Sequence, residues 1–349
     1  MTVANNQKIK GVIVGAGYGT RFLPVTKTIP KEMIPLVDRP AIDFIIQEFQ
    51  EAGIEEVAFI SSRRKKAVED YFDREFELDW FLRDRNAFDL LPTIKPSPMT
   101  FASIRQDDMR GTGHAILQAR PVVSDGPFIV AYPDDLFIGG ESFSKTLIEA
   151  YKETGKSVLG VTEAGPEISR LSSIEYEGER PILTVKRVVE KPAPGTEPSN
   201  VASIGRYLFT PELFELLDQG WKRHKGPGEF FHTDAINTMA ALGHVCAVFP
   251  EGSRLDVGTP ETYMEAFVEY ALSEPRWRPL MLDLILRLAK REFGMFEYLS
   301  PDDPLVRNKA MEALRALAYS ERDWIPQAMR WLERTMGLMR ALDNPESKK

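Results

Sequence analysis

The sequence predicts an α/β domain with a mostly parallel central sheet, and three observations predict it. Short apolar runs at 12–14, 57–60, 128–131, 157–161 and 245–249 have the length and branched content of buried strands. Helical patterns at 41–52, 143–154 and 233–242 separate some of them. Two polar loops, the glycine loop after residue 14 and Pro133-Asp134-Asp135, begin just past a strand, where such sheets bind ligands.

The first strand runs into Gly15-Ala16-Gly17-Tyr18-Gly19-Thr20-Arg21, and Pro30-Lys31-Glu32-Met33 follows. Glycines on alternate positions leave backbone N–H groups open to an anion, and Arg21 and Lys31 add positive side chains. Together they point to a site for a nucleoside triphosphate. The loop is not G-x-G-x-x-G, because Thr20 stands where the third glycine belongs. It is not a Walker A loop either, since no Lys-Ser or Lys-Thr follows Gly19 in register.

Between 183–189 and 203–209, both extended in pattern, lies a Pro- and Gly-containing loop at 192–198. These runs predict a strand pair inserted beside the main sheet. After about Tyr270 the composition shifts, and 273–279 reads as a linker. Beyond it, Ser300-Pro301-Asp302-Asp303 has the form of a helix start, and Ile325, Met329, Leu332, Met336 and Met339 mark one apolar helix face. The expected division is 1–272 for the α/β domain and 273–349 for an all-helical extension of two to four helices. That extension either packs on a core or, being Met-rich, forms a subunit interface in a homo-oligomer.

With 43% hydrophobic and 28% charged residues the chain has an ordinary globular composition. Its net charge of −8 argues against general nucleic-acid binding, so a triphosphate must be met by local cations. Cys246 is the sole cysteine, which rules out an intrachain disulfide and fits a cytoplasmic setting. Residues 1–10 lack the apolar core of a signal peptide. The most apolar stretch, 280–288, contains Asp283 and Arg287, so no membrane span is expected.

Five charged residues form the candidate constellation: Arg21, Lys31, Asp134, Lys191 and Asp256. Two carboxylates together with phosphate oxygens suit Mg²⁺, which takes hard oxygen ligands and few of them from protein. Taken singly, each aspartate fits a turn or a helix cap, and Lys191 a surface lysine. His114 reads as a helix-start histidine with a satisfied hydrogen bond.

Several segments resemble the bacterial UTP–glucose-1-phosphate uridylyltransferases over roughly residues 8–272. They are Gly17-x-Gly19-Thr20-Arg21-Phe22-Leu23-Pro24 with Pro30-Lys31-Glu32-Met33, then Arg105-Gln106 with Gly111-Thr112-Gly113-His114-Ala115. Further along come Glu190-Lys191-Pro192, Ser199-Asn200 with Gly205-Arg206-Tyr207, and Thr233-Asp234-Ala235-Ile236. The resemblance implies a Rossmann-like three-layer nucleotidyltransferase domain. In it Ala16, Gly17, Gly19 and Thr20 hold the nucleotide, and Arg21 and Lys31 contact its phosphates. Glu32, Gln106 and Gly111 lie at the base, and Asp134 and Asp256 hold Mg²⁺. Glu190 binds sugar hydroxyls and Lys191 the sugar phosphate, and Ser172 and Gly205 also contact substrate. The implied reaction is nucleotidyl transfer, in which an already anionic sugar-phosphate oxygen attacks in line without a general base.

Departures from the family pattern cluster on the sugar side. Leu171-Ser172 stands where Tyr-Gly is usual, and Phe231-His232 where Gln-Leu is usual. Val14-Gly15 also replaces a usual Pro-Ala before the loop. The Gln106 amide matches a pyrimidine edge, whether of uracil, thymine or cytosine. Thymidylyl or cytidylyl transfer, another sugar 1-phosphate, and a non-catalytic binding role therefore stay open alongside uridylyl transfer to glucose 1-phosphate.

Overall fold

The computed structural model describes residues 8–293. The readings at Ser300 and along Ile325–Met339 lie outside the described residues.

The chain opens with β1 (Lys10–Val14), passes through the short strands β2 (Pro35–Leu36) and β3 (Arg39–Pro40), and enters helix α1 (Ala41–Glu51). Strand β4 (Glu56–Ser61) is followed by helices α2 (Lys66–Phe72) and α3 (Phe76–Asp84), and β5 (Thr100–Arg105) by α4 (Thr112–Gln118) and α5 (Arg120–Val123). Then come β6 (Phe128–Ala131), β7 (Asp135–Ile138), α6 (Phe143–Thr154), β8 (Ser157–Glu163), β9 (Ser172–Glu177), β10 (Leu183–Glu190) and β11 (Val201–Phe209). The series closes with α7 (Glu212–Arg223), α8 (Thr233–Ala241), β12 (Val245–Val248), β13 (Ser253–Asp256), α9 (Pro260–Ser273) and α10 (Arg278–Phe293).

Nine strands form one sheet in the order β5-β4-β1-β6-β11-β8-β12-β10-β9. The sheet is mixed rather than simply parallel, which corrects the expectation in part. β5, β4, β1 and β6 pair in parallel, as do β8 and β12, whereas β10 and β11 pair antiparallel with their neighbours. The expected inserted strand pair is also corrected. β11 is not beside the sheet but in its middle, between β6 and β8, and does not pair with β10. Nearly every residue of β11 is buried, and so apolar a strand is stable only with sheet on both sides. β5 escaped the sequence reading because it is an edge strand of half-exposed residues, Thr100-Phe101-Ala102-Ser103-Ile104-Arg105.

Strand alternation divides the apolar side chains between two cores, giving three layers. Val12 and Val130 face one core with Ile116 of α4, Phe214 of α7 and Met239 of α8. Ile13 and Ile129 face the other with Ile42 and Phe49 of α1, Leu147 of α6 and Tyr270 of α9. Cys246 is buried in this second core. Two short ribbons, β2–β3 and β7–β13, stand apart from the main sheet. Residues 274–277 form a turn, and α10 follows it. Among the described residues no helix is long and apolar enough to cross a membrane.

Candidate active site

The parallel group β5, β4, β1 and β6 delivers four loops to one end of the sheet: Gln106, Ser62–Lys65, the glycine loop and Tyr132–Asp134. The three glycines have different physical reasons. A Cβ on Gly15 would meet the Phe59 ring at 2.4 Å, so Gly15 packs. Gly17 is exposed with open space where a Cβ would lie, and it lines a cavity of about 890 Å³. Gly19 has φ +65°, where a side chain would be strained, and its carbonyl accepts from Thr26 Oγ1 at 2.7 Å. Ala16 is buried behind the loop, and Thr20 is exposed. No long helix follows the glycines. The chain makes three 3-10 turns (Thr20–Phe22, Val25–Lys27, Lys31–Met33), so positive charge here comes from side chains rather than from a long helix dipole.

Lys31 Nζ lies 2.5 Å from Asp134 Oδ2. Burial would lower the Lys31 pKa, but the charges of Asp134 and Glu32 outweigh it and hold it above the ordinary value. Burial would raise that of Asp134, yet Lys31 and Arg21 hold it below the usual carboxylate value. The pair is therefore ionised at neutral pH. Around Gly258 the charged groups converge: a Cβ there would lie 3.0 Å from Asp256 Oδ1, 3.6 Å from Asp134 Oδ2 and 3.7 Å from Arg21 Nη1. Asp256 is oriented by the Gly258 N–H at 2.8 Å and Thr262 Oγ1 at 3.3 Å, both donating to Oδ1. Lys191 shares no ion pair with this group among the described residues. It is exposed, with φ +41°, and its N–H donates to the Leu171 carbonyl at 3.0 Å.

Gln106, just past β5, is 4% exposed. Its Nε2 donates to the Gly111 carbonyl at 3.3 Å and lies 3.1 Å from His114 Nδ1. His114 stacks on Trp221 at 4.4 Å between ring centroids, and Gln118 Nε2 lies 3.1 Å from its Nε2. Gly111 has φ +94°, and a Cβ there would strike the Phe230 carbonyl at 2.7 Å. Glu32, expected at the base, is 1% exposed, and Lys65 Nζ donates to both its oxygens at 3.0 and 2.7 Å. Sequence reasoning missed Lys65 and its neighbours Arg63 and Arg64, which line the same cavity with Arg105. The signal was the cationic run Arg63-Arg64-Lys65-Lys66, directly after a predicted strand.

On the side of the departures, Ser172 Oγ donates to Glu190 Oε2 at 2.6 Å, and Thr233 Oγ1 lies 3.4 Å from the same oxygen. Ser172 therefore touches Glu190. His232 is buried, its pKa lowered to about 4 by that burial, with Nδ1 2.9 Å from Thr112 Oγ1. The Gly205 N–H donates to Asp135 Oδ2 at 2.6 Å. A register shift in the β11–β8 ladder between Ser203 and Tyr207 frees Gly205 for that contact.

A cavity floored by an open glycine loop and ringed with cations, together with an aspartate–lysine pair held beside a second aspartate, defines a protein that handles nucleoside phosphates. The chain belongs to the nucleotidyl transferase family, whose model matches residues 10–273. Within it the chain sits with the UTP–glucose-1-phosphate uridylyltransferases. The protein of that name from Staphylococcus haemolyticus is 38% identical over 286 residues, covering 80% of this chain and 98% of the relative. The one from Streptococcus pneumoniae is 40% identical over 290 residues, 80% of this chain and 96% of the relative. The UTP-bound enzyme of Acinetobacter baumannii superposes with a TM-score of 0.74 at 33% identity, over 81% of this chain and all of the other. A UDP-glucose pyrophosphorylase complexed with UDP-glucose gives 0.68 at 36% identity, over 77% and 100%.

Proposed function

We propose that this protein transfers the uridylyl group of UTP to glucose 1-phosphate, releasing UDP-glucose and pyrophosphate. The observation that carries the reading is the convergence of Arg21, Asp134 and Asp256 around Gly258, with Lys31 paired to Asp134. Uridylyl transfer needs two mutually repelling phosphates brought into line, and the attacking oxygen is already an anion. The residues to hand match that demand, with cations to align and neutralise phosphate oxygens.

Gly17 and Gly19 would admit the nucleotide, Gln106 would read its pyrimidine edge, and Arg21 and Lys31 would hold its phosphates. Glu190 would bind sugar hydroxyls and Lys191 the sugar phosphate. Asp134 and Asp256 would hold Mg²⁺. Their fit is supported by an oxygen-only donor pair beside the Gly258 Cα, where even a methyl group would crowd the Asp256 carboxylate. When bound, the cation supplies charge neutralisation at the transferring phosphate. Lys31 would then exchange its Asp134 partner for a phosphate oxygen. We also propose a domain boundary at 272/273 and a homo-oligomer, which light scattering tests.

The test is pyrophosphate release across UTP, dTTP, CTP and ATP against several sugar 1-phosphates with Mg²⁺. UTP with glucose 1-phosphate is expected to be the fastest combination. Faster release with dTTP, or with another hexose 1-phosphate, moves the assignment to that substrate. No release in any combination refutes an enzyme.

A further inference from the structure

The two aspartates proposed to hold the metal do not stand on the main sheet. Asp256 ends β13, and Asp134 directly precedes β7; these strands form a ribbon of four residue pairs, Ser253–Ile138 to Asp256–Asp135. Leu136 and Leu255 seat the ribbon in the second core, and polar contacts hold its end. That end, Asp135 opposite Asp256, is the one beside Lys31 and Arg21.

A second carboxylate and a guanidinium occupy it. Arg254 Nε donates to Asp135 Oδ1, across the ribbon, and Arg254 Nη2 lies 3.5 Å from Asp256 Oδ2. Arg254 and Asp256 are two residues apart on one strand, hence on the same face. Asp135 is gripped from the sheet as well. Its Oδ2 accepts the Gly205 N–H at 2.6 Å, and its carbonyl accepts from Arg206 Nη2 at 3.1 Å. The Val257 N–H donates to the Asp134 carbonyl at 2.9 Å, closing the ring of contacts around the site. Asp135 is 7% exposed, with Arg254 Nε at its Oδ1.

We propose that Asp135 and Arg254 are positioning residues: their ion pair locks the β7–β13 ribbon so that Asp134 and Asp256 face one divalent cation. This rests on the metal assignment made above. Arginine suits the role because its planar fork reaches two carboxylates at fixed spacing, which a lysine ammonium does not. The placement costs some attraction, since Arg254 also offsets negative charge at Asp256. The brace therefore serves geometry rather than metal-attracting potential.

The probe is Mn²⁺ titrated into protein holding UTP, with protein in excess, and free Mn²⁺ read by electron paramagnetic resonance. UTP affinity in EDTA and the thermal transition are measured in parallel. Arg254→Met and Asp135→Asn are each expected to weaken Mn²⁺ by about tenfold or more while UTP affinity in EDTA changes by less than about twofold. Arg254→Lys recovers only part of the loss. Mn²⁺ affinity equal to wild type in a folded Arg254→Met or Asp135→Asn protein overturns the proposal, as does an equal loss of metal-free UTP binding. Asp134→Asn serves as the reference and is expected to lose Mn²⁺. If it binds Mn²⁺ normally, the metal assignment falls and the brace with it. If it loses Mn²⁺ while the brace variants keep it, only the brace falls.

Discussion

Lys31 and Lys65, both drawn to Glu32, show how burial and partner set a charge. Lys65 is buried on a single carboxylate, and desolvation takes its pKa below the ordinary value. Lys31 has Asp134 at contact and the charge of Glu32 besides, and its pKa rises. His232 extends the argument to pH. It is buried near Glu190 with Thr112 as its ring partner, and its pKa falls from 6.5 to about 4. The folded protein keeps this imidazole neutral, while the unfolded chain protonates as pH drops below 6.5. Its contribution to stability is therefore full above that pH and is lost between there and about 4. The size is about 3 kcal/mol. Urea unfolding at neutral pH and near the lower limit should show His232→Asn losing less stability than wild type by about that amount. An equal loss in both proteins refutes the assignment.

At the scale of elements, β11 explains why the sheet is mixed. It brings Arg206 into the second core with no exposure at all. There the guanidinium forks onto Glu48 of α1, Nε and Nη2 each donating at 2.8 Å. Glu48 also accepts from the Ser144 N–H at 3.0 Å, at the first turn of α6. One ion pair thus ties a central strand to two helices and, through the Asp135 carbonyl, to the site ribbon. Removing one partner leaves a buried unpaired charge. Arg206→Met is expected to cost about 3–5 kcal/mol in chemical denaturation, and adding Glu48→Met should recover most of it. If the double variant is no more stable than the single, the cost lies in packing rather than in stranded charge. α9 shows a smaller device. Its Thr259–Thr262 capping box fixes the helix start that also orients Asp256.

At the scale of the molecule, among the described residues the buried members of both apolar cores lie between Val12 and Tyr270. A chain ending at Glu274 should therefore keep a cooperative thermal transition within a few degrees of the full chain and keep UTP binding; loss of either shows that the later residues are needed for the fold. The sequence by itself determined the α/β class, the glycine loop and the charged residues Arg21, Lys31, Asp134 and Asp256. Those features are local: strand runs, turn chemistry and residue type at a strand end are written in consecutive positions. It could not settle partners. Nothing local to Glu32 announces Lys65, 33 positions later, which donates to both its oxygens. Nor does anything beside Asp135 in the chain announce the Gly205 and Arg254 that β11 and β13 bring to it. Whether a carboxylate is free for a ligand or consumed by the protein depends on which distant cation the topology sets beside it. Only the tertiary structure decides that, because Coulomb attraction and hydrogen bonding act over a few ångströms of space and not along the chain.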